Sequence, residues 1–227
     1  MKSTRKAYGE ALVELGKIND DVIVLDADLA KATCTELFKN EFPQRHIDMG
    51  IAEQDMVDTA CGLALAGKQV FASSFAMFLA GRAYDQIRNG VVYNHANVRL
   101  CATHAGLTVG EDGATHQCIE DIALMTVIPT LTVISPSDEC QTKYLIKNSI
   151  KTEGPMYFRL GRNDVRDIYR EKDTFEIGKS KLHGKGKDAT IFATGYGVHL
   201  ALEAKRNIRR WRYQCKSSRC IFIKTNR

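Results

Sequence analysis

The sequence has no long apolar run. Its apolar runs, residues 70–72 and 191–193 among them, are far too short to cross a bilayer as a helix. No secretory signal is expected, since the basic start, Met1 to Lys6, leads into a charged stretch without an apolar core. The seven cysteines form no Cys-x-x-Cys pair and keep no regular spacing, which argues against a disulfide scaffold or a zinc site. No internal repeat, low-complexity tract or Walker phosphate loop is present. What remains is ordinary globular usage, 44% hydrophobic and 26% charged, which excludes a disordered or fibrous chain. The expected compartment is the cytoplasm, with no membrane partner.

Basic residues crowd into one place with no acid among them. The last 22 residues hold eight Lys and Arg and no acid. Residues 1–205 hold the other 24 bases and all 27 acids, a net of −3. The overall charge of +5 therefore belongs to the tail. A basic folded face for nucleic acid is not expected.

Short apolar runs alternate with helical patterns. Strands are expected at residues 22–25, 45–49, 70–73, 98–103, 131–135 and 156–160. Helices are expected at 4–16, 52–66, 81–94, 120–127 and 137–151. That alternation predicts an α/β fold with a doubly wound, mostly parallel sheet over residues 1–160. Residues 161–187 are polar and read as a linker, with a hairpin as one option. A strand at 188–194 and a helix from Val198 then open a second, truncated α/β unit over 188–205.

Three segments carry chemistry. Asp48–Met56 places Glu53 after a strand and at the start of a helix, where ligands bind in open α/β sheets. A plain first-turn carboxylate is the competing reading. Ser73–Arg88 holds Phe75 and Phe78, three apart, which share a face if helical. They suit either a flat heterocycle or core packing. In the same stretch Asp85 and Arg88 read as a surface pair. Thr103–Gln117 is a glycine-punctuated loop with His104, Asp112 and His116, shaped for an organic substrate rather than a metal.

Together, in this order and spacing, the three segments resemble the pyrimidine-binding domain of the transketolase family. The likeness runs from about residue 4 to 205 and includes Asp26-Ala27-Asp28-Leu29 and Arg159–Arg162. Related thiamine enzymes, deoxyxylulose-phosphate synthase and the β subunit of 2-oxoacid dehydrogenases, share the fold, but Gly110–Gln117 looks more like transketolase. The resemblance implies thiamine diphosphate as cofactor. Glu53 would hydrogen-bond a ring nitrogen of its aminopyrimidine, since a carboxyl in an apolar pocket shares a proton readily. Phe75 and Phe78 would pack on that ring. His104 and His116 would face the sugar as proton-transfer groups, and Asp112 would meet the acceptor's hydroxyl. Arg162, with Arg159, would bind the sugar phosphate. Larger transketolases carry a phosphate-binding serine where this chain has Ala32, with Thr33 beside it.

The family's Gly-Asp-Gly motif for Mg²⁺ and diphosphate is absent. The layout implied is the C-terminal subunit of a split transketolase. An N-terminal partner would bind Mg²⁺ and the diphosphate, with homodimerisation inside a heterotetramer, and sugar phosphates would be the substrates. Another thiamine enzyme's subunit and a non-catalytic relic are the alternatives. The resemblance stops near Lys205. Residues 206–227, with the only Trp and two of the cysteines, read as an aberrant basic tail from a shifted reading frame. The βα unit before it is expected to lack sheet neighbours.

Overall fold

The computed structural model describes residues 1–186, 188–209, 215–219 and 222–224. Its strands are β1 (Lys2–Ser3), β2 (Val22–Asp26), β3 (His46–Asp48), β4 (Gln69–Phe75), β5 (Val98–Thr103), β6 (Thr132–Ile134), β7 (Met156–Arg159), β8 (Asp164–Val165), β9 (Lys181–His183), β10 (Ala189–Ala193), β11 (Cys215–Arg219) and β12 (Phe222–Lys224). Its helices are α1 (Thr4–Gly16), α2 (Ala30–Thr33), α3 (Glu36–Glu41), α4 (Glu53–Leu65), α5 (Asp121–Val127), α6 (Glu139–Ser149) and α7 (Gly197–Arg209).

The main sheet runs β12-β6-β7-β5-β4-β2-β3. Its six inner and far strands are parallel, and β12 adds antiparallel to β6 at one edge. One apolar cluster packs α1, α3 and α6 on one face, around Leu12, Phe38 and Leu145. The other packs α4, α5 and the segment 76–92 on the opposite face, around Met56, Leu79 and Met125. β5 is buried along its whole length, as a strand covered by helices on both faces must be. The doubly wound α/β fold expected from the alternation is the fold observed.

The caps follow local chemistry. Ser3 caps α1 by accepting from the Lys6 N–H, and Asp138 caps α6 by accepting from Gln141. At the other end of α6, the buried Arg99 guanidinium donates to the carbonyls of Ser149, Thr152 and Gly154. Ser149 ends α6 and the other two follow it, so one buried cation ties the helix end to the turn leading into β7.

Five expectations are revised. β4 extends to Phe75, so Phe75 ends a strand and Phe78 lies in the helix after it. That helix is not one α-helix but two π-helical stretches, Met77–Arg82 and Gln86–Val92. In their wider turn Asp85 and Arg88 do not pair: Asn89 donates to Asp85 at 2.5 Å and accepts from Arg88 at 2.9 Å. Residues 161–187 form no hairpin of their own. β8 pairs antiparallel with β1, and β9 pairs antiparallel with β11. The segment is also anchored: Asp138 accepts from the N–H groups of Ile168 and Tyr169, and Tyr169 and Phe175 join the α1/α6 core. Finally, β10 has a neighbour, pairing parallel with β11. Of the expected tail, residues 210–214, 220–221 and 225–227 lie outside the described residues. No helix among the described residues is long and apolar enough to cross a membrane.

Candidate active site

Parallel strands deliver their C-terminal ends to one edge of the sheet, and the polar loops collect there. β3 leads through Gly50 into α4, whose first residue is Glu53. β4 ends on Phe75, and β5 ends on Thr103 and passes directly to His104. Parallel pairing puts Phe75 opposite Thr103. Side chains far apart in sequence thus become neighbours.

Glu53 is buried, with 1% of its surface exposed. It sits in the first turn of α4, where the helix dipole favours a carboxylate. Its Oε1 accepts from the Ser74 hydroxyl at 3.1 Å, and its Oε2 accepts from Arg82 Nη1 at 2.5 Å. Both oxygens therefore meet polar partners, which corrects the apolar pocket that the resemblance implied. The Arg82 guanidinium also lies over the Phe78 ring, 4.7 Å from its centre.

The aromatic residues do gather. Phe75 and Phe78 stack with centroids 5.7 Å apart and planes 14° from parallel. His104 stacks on Phe75 at 3.8 Å. His116 meets both phenyl rings edge-on, at 6.1 and 5.2 Å. Each histidine is tied by Nδ1 to the threonine before it, Thr103 or Thr115, at 2.9 Å. His104 has φ +56°, a left-handed backbone that a histidine adopts at a cost. Burial first, then the charges of Arg5 and Arg162, pushes its imidazole down to about 4, against the pull of Asp112. It is neutral at neutral pH.

The acidic loop folds over an arginine. Arg162 donates to the Val109 carbonyl and, at 3.0 Å, to Glu111; Asp112 lies 3.8 Å away. Arg162, Asp112, His104 and His116 thus share one electrostatic neighbourhood. Arg159 stands apart. Its Nε donates to the buried Asp121 at 2.8 Å, an oxygen shared with the Tyr157 hydroxyl. It lines a side cavity of about 450 Å³, with Ser135, Ser137, Asn163 and Tyr196. Its guanidinium presses on Gly106, where a Cβ would meet Nη2 at 2.9 Å and φ is +81°. The backbone angles call for glycine there, while the guanidinium tip could shift. Thr33 is also unavailable: its hydroxyl is buried against Asp26 at 2.9 Å. Burial holds the Asp26 carboxyl up at about 6, opposed by bonds from Leu29, Thr33 and Thr35.

Arg82 and Ser74 carry no mark in the sequence that sets them apart as site residues. Arg82 stands four residues after Phe78, and that helical spacing was the available signal. The donor set fits an aminopyrimidine: a buried carboxylate at one edge and stacked phenyl rings as a face. No group of three His, Cys, Asp or Glu among the described residues could hold a metal ion.

A family model described as the transketolase, pyrimidine binding domain matches residues 1–167. A putative transketolase C-terminal section from Methanocaldococcus jannaschii is 53% identical over 205 residues, 89% of this chain and 65% of that protein. Human transketolase is 40% identical over 205 residues, again 89% of this chain but 33% of its own length. The chain thus spans from a third to just under two thirds of these relatives. Among solved structures, a split gene transketolase described as an inactive β4 tetramer superposes with a TM-score of 0.89. It is 44% identical, over 97% of this chain and 72% of that one.

Proposed function

This chain belongs to the transketolase family, and from that premise we propose that it is the C-terminal section of a split transketolase. It would move a two-carbon ketol unit from a ketose phosphate to an aldose phosphate. The observation that carries this reading is Glu53, buried beside Phe75, Phe78, His104 and His116 at the carboxyl edge of the sheet.

Thiamine diphosphate, the family's cofactor, supplies the carbon nucleophile when bound. Glu53 would hold a proton between its carboxylate and a ring nitrogen. Phe75 and Phe78 would orient the ring and keep water from it. His104, neutral at neutral pH, can accept a proton from a sugar hydroxyl without first losing one. His116 stands across the same rings for the second transfer. Asp112 would meet the acceptor's hydroxyl. Arg162 suits a phosphate, which would displace Glu111 from the guanidinium. Arg159, held by Asp121, would serve that loop rather than the phosphate itself.

Mg²⁺ and the diphosphate would fall to an N-terminal partner chain, a reading that the relative described as a transketolase C-terminal section supports. The solved relative described as an inactive β4 tetramer supports a chain that needs such a partner. Two copies of each chain would complete the assembly. Free thiols at Cys34, Cys61, Cys101, Cys118 and Cys140 suit the cytoplasm. The test is reconstitution. The chain mixed with an N-terminal section, Mg²⁺ and thiamine diphosphate should transfer ketol units from ketose phosphates and ignore pyruvate. Robust turnover by the single chain would overturn the split arrangement, and a preference for pyruvate would overturn the substrate.

A further inference from the structure

The Glu53–Arg82 pair has an asymmetry that bears on how the site fills. Glu53 is 1% exposed and fixed at the head of α4; Arg82 is 44% exposed and reaches in from a π-helical turn. Glu53 Oε1 is occupied by Ser74, so Oε2 is the oxygen left for an incoming ring. Arg82 already holds that oxygen at 2.5 Å. The same guanidinium lies 4.7 Å over Phe78, on an aromatic surface that a ring would use. One exposed cation therefore engages both the acceptor and the stacking surface of the site described above.

We propose that Arg82 is a positioning residue that stands in for the aminopyrimidine, pairing with Glu53 until the ring displaces it. This rests on the reading that Glu53 faces the cofactor ring. A buried carboxylate without a partner is costly, so the unfilled site needs a counter-charge. That counter-charge must also leave, and a half-exposed arginine leaves at small cost because water receives it. Filling the site is then an exchange: the Arg82–Glu53 hydrogen bond breaks, the ring–Glu53 bond forms, and the guanidinium moves to solvent.

The exchange predicts a gain where a merely structural pair predicts a loss. The probe is the isolated aminopyrimidine half of thiamine, titrated against the full chain by ligand-observed NMR. Arg82→Met keeps an aliphatic stem over Phe78 but removes the competitor, so the probe should bind about 3- to 10-fold tighter, by the usual worth of such a pair. Arg82→Lys should restore near wild-type affinity. The gain should vanish in a Glu53→Gln background, where there is no charge to release. Weaker or unchanged binding by Arg82→Met, in a chain that melts normally, overturns the inference, and so does a gain that survives Glu53→Gln. If the wild-type chain does not bind the probe, or Glu53→Gln does not weaken it, the reading of Glu53 itself fails instead. Should Arg82→Met not fold, Arg82→Gln takes its place in the same cycle: tighter binding supports the exchange, and weaker or unchanged binding overturns it.

Discussion

β5 and β10 are similar strings in different surroundings. Val-Arg-Leu-Cys-Ala-Thr in β5 is buried at all six positions. Ala-Thr-Ile-Phe-Ala in β10 is exposed or half-exposed throughout, with Phe192 73% exposed. β5 has parallel neighbours on both sides and helices above and below; β10 pairs with β11 alone in a three-stranded sheet. Apolar content makes a strand, but neighbours bury it. The groups of the candidate site sit at the ends of the buried strands, in the loops there and in the first turns of the helices that follow. The second unit contributes Gly195, Tyr196 and Leu200 to the wall of the side cavity.

Four experiments would break or sharpen this contrast. The largest effect is expected at Glu53. Glu53→Gln keeps size but cannot take up a proton, so turnover in the reconstituted enzyme should fall about 10²- to 10⁴-fold, the worth of a positioned acid–base group. Near-normal ketol transfer would remove Glu53 from the chemistry. Next comes Leu100→Ala in β5. A fully buried leucine cut to alanine costs about 2–5 kcal/mol in urea unfolding, and a smaller loss would mean the core collapses around it.

The third is a pH test of Asp26. Its folded carboxyl sits at about 6, above the ordinary 3.8, so the folded state holds the proton more tightly than the unfolded chain. That contribution is fully present below about pH 4 and is lost as pH rises through 6. Wild type should therefore gain on Asp26→Asn by up to about 3 kcal/mol between pH 7 and pH 4. His104, pushed down to about 4, works the other way: its contribution is present above the ordinary 6.5 and lost as pH falls through 4. The two oppose each other in wild type, so only the difference between wild type and variant isolates Asp26. A difference that does not change with pH would deny the buried carboxyl its shift. The smallest effect is expected in β10: Phe192→Ala should move stability by no more than about 0.5 kcal/mol. A larger loss would show that something covers this strand in solution.

Much of the fold was legible. The residues of α1 and β5 follow from periodicity and apolar runs. Glu53, Phe75, Phe78, His104 and His116 lay in segments that strand ends and a glycine loop made conspicuous, and the family resemblance gave them their roles. Arg82 escaped because its partner lies 29 residues back, and no local pattern joins a π-helical turn to the head of α4. Arg159 was placed with the phosphate group, beside Arg162, by the family resemblance. A strand end and a loop position three residues apart point into different surroundings, and Asp121 claims the first.

The sequence by itself determined the alternation of strands and helices, the net charge of each part, and the residue types available for proton transfer. Those are properties of short segments, set by side-chain period and local hydrogen bonding. The tertiary structure decided which groups share a site. Parallel pairing in the order β6-β7-β5-β4-β2-β3 brings the ends of β3, β4 and β5 to one edge, where Phe75 meets His104 and Glu53 meets Arg82. It also decided the protonation of His104 and Asp26, because desolvation depends on what the whole chain packs around a group.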